Sequence, residues 1–293
     1  MHPTDGGTPA GSAGPDPGPG LPGPEPGSGR YGEAVFRPGQ AGEDERIDLG
    51  ALAYDDTTIA RLRELGAGPG WTCLDVGAGT GSVARRLLGE LGVTRVLAVD
   101  RDTRFLAAHP RPGLDFLEAD LTDPGFDPGR FHLVHARFVL MHLPTRYRLM
   151  ARLRELLLPG GLLVLSDAID PASDTAPPSP YSRAVQAMWQ GLHDTIGTDV
   201  SWTPRYPHLL RGLGLETVAA EIHVPPLVPG SALSRFWADT WDRAREAMTG
   251  TGLVDDADID AAIRYLDSPG CAALSPGMIT AWGRRPAADT RPG

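Results

Sequence analysis

The sequence contains no lysine, because all 27 of its basic residues are arginine. A Schiff-base lysine is therefore excluded, and with it pyridoxal and class I aldolase chemistry. The phosphate-binding lysine of a P-loop is excluded in the same way. Asparagine is also absent, which rules out N-linked glycosylation of this chain.

Cysteine is scarce, and long apolar runs are missing altogether. Cys73 and Cys271 are too few for a disulfide framework, and Cys73 sits in an apolar run where a buried thiol is expected. No stretch approaches the ~18 consecutive apolar residues of a membrane-spanning helix, and residues 1–30 lack the apolar core of a signal peptide. We therefore expect a cytoplasmic protein that does not bind a membrane.

Basic residues are fewer than acidic ones, 27 against 37, and the formal net charge is −10. Such a surface repels phosphate backbones, so a nucleic-acid partner is not expected. A small-molecule substrate is the expected partner, and a homodimer is left open. Residues 1–30, rich in glycine and proline, are predicted to be a disordered tail because they cannot bury enough apolar surface to offset the entropy of ordering.

After the tail, segments whose apolar residues have the spacing of a helix alternate with short apolar segments typical of strands. Two helices are predicted before the first strand, the second carrying Ile59 and Leu62 and closed by Gly66. Short apolar strands then alternate with helices every ~20–30 residues, which is typical of a doubly wound, mostly parallel α/β sheet. The predicted strands are 71–76, 95–100, 114–120, 131–137, 162–166, 215–224 and 278–285. The predicted later helices are 81–91, 103–108, 146–157, 181–196, 206–213, 231–248 and 256–267.

A glycine-rich loop follows the first predicted strand, in the stretch LDVGAGTG at positions 74–81. Glycines at this point allow the backbone to turn sharply and to approach a ligand closely. The spacing is G-x-G-x-G, and Ser82 occupies the third glycine position of a dinucleotide site. Asp75, before the glycines, suits a ligand that carries an amino group and no phosphate.

Two further strands end in a carboxylate. Asp100 ends the strand about 20 residues beyond the loop, where a carboxylate can accept both hydroxyl groups of a ribose. Asp120 ends the next strand, where it can accept a hydrogen bond from an adenine amino group while Leu121 packs on the ring. A solvated acid at a strand end is the simpler alternative for Asp100, but the set as a whole indicates a nucleoside site.

These segments, together with FHLVHAR at 131–137 and LPGGLLV at 158–164, resemble in order and spacing the class I S-adenosylmethionine (SAM)-dependent methyltransferases. The resemblance covers residues 54–166 and, loosely, the last strand. It implies a Rossmann-like, doubly wound α/β fold with a seven-stranded sheet whose last strand is antiparallel, with SAM as the cofactor. The stretches at 54–58 and 137–143 look like the small-molecule branch found in actinobacterial natural-product pathways.

The resemblance also implies which residues bind the cofactor. The glycine loop and Asp75 would hold the methionine part, Asp100 the ribose, and Asp120 with Leu121 the adenine. The end of the fourth strand would line the methionine end of the site. The complete predicted set is Asp75, Gly77, Ala78, Gly79, Asp100, Arg101, Asp120, Leu121, Ala136 and Arg137. No metal site is predicted.

The segments outside this core are expected to hold the methyl acceptor. Residues 31–67 would form amino-terminal helices that cap the substrate site, 68–167 the SAM-binding core, and 168–293 the lid helices, the remaining strands and substrate-binding insertions. The helix 181–196 is predicted to cover the acceptor pocket. Aromatic side chains favour an apolar or aromatic acceptor, although each is equally explained as a core residue. The predicted acceptor-binding residues are Tyr54, Tyr181, Trp189, Trp237 and Trp241.

A general base is optional, because an acceptor amine or electron-rich carbon needs only positioning. His142 and His193 are the candidates, the first at the open end of the sheet and the second one turn after Trp189. Each is otherwise a hydrogen-bonded structural histidine. The competing functions are a nucleotide-dependent oxidoreductase, an RNA or protein methyltransferase, and a non-catalytic protein with a SAM-binding fold. Ser82 argues against the first, and the acidic charge argues against an RNA substrate.

Overall fold

A computed structural model describes residues 29–171 and 177–287, so nearly all of the predicted disordered tail lies outside the described residues. Seven strands form one sheet in the order β3-β2-β1-β4-β5-β7-β6. The strands are β1 (Thr72–Val76), β2 (Arg95–Asp100), β3 (Leu114–Glu118), β4 (Phe131–Arg137), β5 (Leu157–Ile169), β6 (Glu216–His223) and β7 (Gly277–Arg284). Strand β7 runs antiparallel to both β5 and β6, which confirms the predicted fold class.

Helices cover both faces of this sheet, and a further helical layer lies above its carboxyl edge. The helices are α1 (Glu43–Glu64), α2 (Ser82–Glu90), α3 (Arg104–Ala107), α4 (Arg146–Glu155), α5 (Pro180–Ile196), α6 (Tyr206–Gly212), α7 (Ala232–Arg243), α8 (Arg245–Gly250) and α9 (Asp256–Leu266). Among these residues, no helix is long and apolar enough to cross a membrane.

Side chains along the central strands alternate between the two faces of the sheet, so each face carries its own part of the hydrophobic core. On β1, Cys73 packs with Ile59 of α1 and Leu87 of α2, whereas its neighbour Leu74 packs with Met150 of α4. Adjacent residues of a strand point to opposite faces, so a continuously apolar strand is buried on both sides. Cys73 is fully buried, and burial raises the pKa of its thiol to about 12, as befits an unreactive core residue.

The two helices predicted before the first strand are one continuous helix, α1, so that prediction was wrong. The stretch 54–58 contains no glycine or proline, and the Thr58 hydroxyl donates a hydrogen bond to the Tyr54 carbonyl within the helix. The opposite error occurred at 231–248, where one predicted helix is divided into α7 and α8. The division falls at Ala244, whose φ and ψ angles of −90° and 4° lie outside the α-helical range.

Helix α5 is fixed in place by its caps and by a close contact with α8. Ser179 and Ser182 form a reciprocal capping box at its start, and Gly197 ends it with a φ of 74°. At Gly191 a Cβ atom would lie only 2.4 Å from the Ala247 carbonyl oxygen, so the two helices meet backbone to backbone. This contact orients one face of α5 toward the carboxyl edge of the sheet.

Candidate active site

A cavity of about 1110 Å³ lies where β1, β2 and β4 end, between the sheet edge and helices α1, α5 and α7. Ligands of open α/β sheets bind at this edge. Most of the predicted site residues line the cavity, namely Tyr54, Asp75, Gly77, Ala78, Gly79, Asp100, Arg101, Asp120, Leu121, Arg137, His142, Trp189 and Trp237. The predicted residues that do not line it are Ala136, Tyr181, His193 and Trp241.

The glycine loop forms one wall of the cavity. Gly77 and Gly79 have φ angles of 64° and 57°, a region that favours glycine. The Gly77 amide donates a hydrogen bond of 2.7 Å to the Val99 carbonyl. A Cβ atom at Gly77 would lie 2.3 Å from Cγ2 of Val139, so any side chain there would push the loop out of its position.

Asp100 supports this loop and faces the same cavity. Its Oδ2 atom accepts a hydrogen bond of 2.8 Å from the Gly79 amide, and Oδ1 accepts one of 3.3 Å from the Asp102 amide. Burial raises the pKa of Asp100, while these backbone hydrogen bonds oppose the rise. The carboxylate therefore fixes the loop and keeps acceptor capacity for a ligand.

Asp120 lies at the far side of the same wall, beside Leu121. Its Oδ1 atom accepts hydrogen bonds of 2.6 Å from the Thr122 hydroxyl and 2.8 Å from the Thr122 amide. The Thr122 hydroxyl is the main reason that the pKa of Asp120 is lowered. The carboxylate is thus ionised and can accept a further hydrogen bond through Oδ2.

A segment that we call the strap, residues 29–39, forms part of the cavity lining, which sequence reasoning did not predict. The Gly29 amide donates a hydrogen bond of 3.1 Å to the Thr195 carbonyl of α5. Arg30 lies 3.6 Å from the Asp120 carboxylate. Arg101 donates a hydrogen bond of 3.3 Å to the Tyr31 carbonyl and forms an ion pair with Glu33. The predicted tail boundary at residue 30 was therefore slightly too late.

Truncations on either side of residue 29 should separate the tail from the strap. Deleting residues 1–28 is expected to leave the melting temperature and SAM affinity unchanged, because their composition predicts no packed structure. Deleting residues 1–38 should weaken SAM binding, since the ion pair to Arg101 and the cover of the cavity are removed. Calorimetry on both proteins tests this expectation, and equal SAM affinities would contradict a binding role for the strap.

Asp75 lines the cavity, but its carboxylate already contacts the side chain of His135. Its Oδ1 atom lies 2.8 Å from Nδ1 of His135, and both side chains are buried. Arg137 is similarly engaged, donating hydrogen bonds of 2.6 Å to Asp55 and 3.1 Å to the Thr58 hydroxyl. Ala136 lies between His135 and Arg137 on β4, so its side chain points to the opposite, core face of the sheet.

The side of the cavity between α1, α5 and α7 is aromatic. Trp189 of α5 and Trp237 of α7 meet edge to face, with ring centroids 6.4 Å apart. Tyr54 of α1 meets Phe138 in the same way at 5.2 Å. Phe138 follows β4 with a φ of 57°, a conformation that is strained for a residue with a side chain and frequent at functional sites. Phe138 and Phe236 complete this wall, and neither was among the predicted residues.

Three predicted acceptor-side residues lie elsewhere. Tyr181 and Trp241 pack against each other in the core beneath α5 and α7, with ring centroids 5.7 Å apart, so their prediction as acceptor-binding residues was wrong. His193 lies about 40° further around α5 than Trp189, on the flank of the helix. Its Nδ1 atom lies 3.2 Å from the Asp194 carboxylate, and the geometry does not support the predicted catalytic role.

His142 does line the cavity, next to the strap. Its ring packs on Tyr31 with centroids 4.7 Å apart, and Nδ1 lies 2.8 Å from the Thr198 hydroxyl. Burial and the nearby guanidinium groups of Arg46 and Arg146 lower the pKa of His142 to about 3. The ring is therefore neutral at every pH above that value and is a weak base.

Comparisons with known proteins agree with this geometry. The family described as "Methyltransferase domain" matches residues 74–165. Methyltransferase str3 of Strobilurus tenacellus is 37% identical over 43% of this chain, so the chain spans 45% of that relative's length. Trans-aconitate 2-methyltransferase of Deinococcus radiodurans is 29% identical over 73% of this chain and 84% of its own.

A solved structure with the same fold is phosphoethanolamine N-methyltransferase 2 of Haemonchus contortus in complex with SAM. It superposes with a TM-score of 0.54 at 16% identity, covering 84% of this chain and 58% of the other. Residues 74–165, which contain much of the strand-end site, thus match a methyltransferase domain.

Proposed function

We propose that the protein transfers a methyl group from SAM to a small, apolar or aromatic acceptor of the natural-product type. The observation that carries this proposal is the aromatic wall around the acceptor half of the cavity. Trp189, Trp237 and Phe138 surround it, while α1 and the strap cover it from outside. An enclosed aromatic pocket suits a flat small molecule and leaves little access for a folded RNA or protein.

The charges in this wall are paired, which supports an uncharged acceptor. Arg46 forms a buried ion pair with Glu43, donating a hydrogen bond of 3.0 Å to Glu43 Oε2 and another of 3.0 Å to the Tyr31 hydroxyl. Arg137 is paired with Asp55 in the same way. A guanidinium that already has a carboxylate partner is a poor anchor for an acidic substrate. The paired guanidinium groups therefore disfavour a tricarboxylic acid, such as the one in the name of the Deinococcus enzyme, as the acceptor of this protein.

The residues present fit SAM. Asp100 and Asp120 supply acceptors for ribose and adenine donors, and a buried ring nitrogen of His135 has no partner among the described residues. Bound SAM supplies a methyl group attached to a positively charged sulfur. The strap and α1 would exclude water from the acceptor, and the aromatic wall would hold it in line with that group.

His142 is proposed to orient the acceptor without taking its proton. A base with a pKa of about 3 holds an abstracted proton poorly near neutral pH. No cluster of metal-binding side chains lies within the described ranges 29–171 and 177–287. Because His142 is a weak base, the proposed chemistry rests on positioning, which is sufficient for an amine or an electron-rich carbon. The resemblance at 54–58 and 137–143 favours the actinobacterial natural-product branch.

An assay with SAM and small aromatic compounds tests the proposal. Incubating the protein with methyl-labelled SAM and extracts of its producing strain should yield a labelled product one methylene heavier. Trp189→Ala should then raise the KM for the acceptor about tenfold, the ~1.4 kcal/mol expected for one lost aromatic contact. The Kd for SAM should stay within about twofold, because Trp189 lies on the acceptor side.

The control is the same pair of measurements on Trp189→Phe, which keeps an aromatic ring and should recover most of the acceptor affinity. Equal losses of acceptor and SAM affinity in Trp189→Ala would instead indicate a structural tryptophan. Label transferred to RNA or protein, with none in small molecules, would overturn the proposed substrate class. Binding of SAM without transfer to any fraction would favour the non-catalytic alternative.

A further inference from the structure

A buried carboxylate that the proposed chemistry does not use lies next to the cavity, on β5. Asp167 is 1% exposed and does not line the cavity, although the following residue, Ala168, does. Its Oδ2 atom accepts a hydrogen bond from the hydroxyl of Tyr206, the first residue of α6. Burial raises the pKa of Tyr206 well above its usual value, so the hydroxyl keeps its proton and remains the donor.

The same carboxylate faces the turn after β4, which consists of residues 138–142. The amides of Val139 and Met141 point at Asp167 and stabilise its charge. Neither contact is a regular hydrogen bond, since Oδ1 has no partner of good geometry among the described residues. Phe138, the first residue of the turn, lines the cavity with the strained φ of 57°, and such a conformation persists only where surrounding contacts hold it.

Stability alone does not explain a carboxylate at this position. Burial raises the pKa of Asp167 from 3.8 to about 7, although Tyr206, the two amides and the charge of Arg146 oppose the rise. The folded protein therefore binds this proton more tightly than the unfolded chain does, and ionisation costs stability as the pH rises from 3.8 to about 7. A group that is kept next to a cavity at a cost in stability is a candidate for a role in function.

We propose that Asp167 is a positioning residue, which together with Tyr206 holds the turn after β4 in place. Through the turn it sets Phe138 and His142, and thereby the shape of the pocket that the acceptor enters. This inference rests on the proposed function. The ionised carboxylate has an oxygen for each side, Oδ2 for the Tyr206 hydroxyl and Oδ1 for the two amides of the turn.

Hydrogen exchange tests the first step without an acceptor. In Asp167→Ala the amides of the turn after β4 should exchange at least about tenfold faster than in the unmodified protein, because the carboxylate that faces them is gone. Ser166→Ala is the matched control, since Ser166 is the neighbouring buried residue of β5 and its hydroxyl pairs with Thr280. It should leave exchange in the turn unchanged. Equal exchange of the turn in the two variants would overturn the proposal.

The rate of label transfer from methyl-labelled SAM to the small-molecule extract tests the second step. At about pH 8, Asp167→Ala should transfer label roughly ten- to hundredfold more slowly, the cost of a misplaced reactant. Its Kd for SAM should stay within about twofold, because Asp167 does not line the cavity. Asp167→Asn has a single acceptor oxygen and should transfer label at an intermediate rate, yet it should be at least as stable as the unmodified protein, because no buried charge is left. A loss of SAM affinity as large as the loss of transfer would indicate a structural residue instead.

The pH profile distinguishes positioning from packing. Transfer by the unmodified protein should rise as the pH increases through about 7, because ionised Asp167 attracts the two amides more strongly. The surrounding groups do not explain such a step, since Tyr206 stays protonated, Arg146 is paired with Asp199, and His142, with a pKa of about 3, stays neutral. Asp167→Asn should therefore lack the step, and its persistence in this variant would overturn the proposal. Faster exchange in Asp167→Ala without any transfer by the unmodified protein would count against the proposed function alone.

Discussion

Replacing Asp100 with alanine is expected to weaken SAM binding by roughly ten- to hundredfold, as the loss of a charge-assisted hydrogen bond predicts. The carboxylate lies at the end of β2 and lines the cavity, where ribose hydroxyl groups would donate to it. The same side chain accepts the hydrogen bond from the Gly79 amide. Its removal would therefore take away the proposed ligand contact and a support of the glycine loop together.

Asp115→Ala provides a matched control, because Asp115 is a surface acid that pairs with Arg95 and does not line the cavity. It should leave the Kd for SAM unchanged, since surface ion pairs contribute little. Asp100→Asn keeps one acceptor oxygen and should fall between the alanine variant and the unmodified protein. An unchanged Kd in folded Asp100→Ala, measured by calorimetry, would refute the ribose assignment.

Trp241→Ala should lower the free energy of unfolding by ~3–5 kcal/mol, the usual cost of removing a large buried aromatic side chain. Trp241 is fully buried and packs edge to face on Tyr181. The same core cluster joins α5, α7, α8 and α9, so the hole left by the indole cannot be closed by movement of a surface loop. Denaturant unfolding monitored by circular dichroism measures the change.

Trp189→Ala is the informative companion, because Trp189 is only partly buried and forms part of the cavity wall. Its loss of stability should be clearly smaller than that of Trp241→Ala, while its effect on acceptor binding should be larger. Trp241→Ala should keep its SAM affinity at temperatures where it is folded. A stability loss below ~1 kcal/mol for Trp241→Ala would contradict its placement in the core.

The parts of the site that were predictable are encoded by neighbouring residues. The loop at 74–81 and the acids Asp100 and Asp120 follow short apolar strands, and the carboxyl ends of parallel strands meet at one edge of the sheet. These local signals were enough to predict a common cavity. The helix 181–196 was predictable for the same reason, because its periodic apolar residues and the glycine that ends it lie in one continuous segment of the sequence.

The remaining features depend on contacts between distant residues. His135 finds Asp75 at a separation of 60 residues, and Arg137 finds Asp55 at 82, so no local pattern reveals either pair. The strap consists mostly of turns, although it buries Val35 and Phe36, and sequence reasoning extended the tail as far as residue 30. Trp237 and Trp241 are the same residue type on one helix, so the sequence does not distinguish their roles. Only helix packing determines that Trp237 lines the cavity whereas Trp241 is enclosed in the core.

The position of Trp189 and Trp237 gives the protein an optical property of its own. Two of the chain's six tryptophans form part of the wall of the proposed acceptor pocket, with their rings in edge-to-face contact. Indole emission depends on the polarity around the ring and on nearby quenching groups. The intrinsic fluorescence of the unlabelled protein is consequently expected to change when the pocket is filled, against a constant contribution from the other four tryptophans, so that binding of acceptors can be titrated without a methyl-transfer assay.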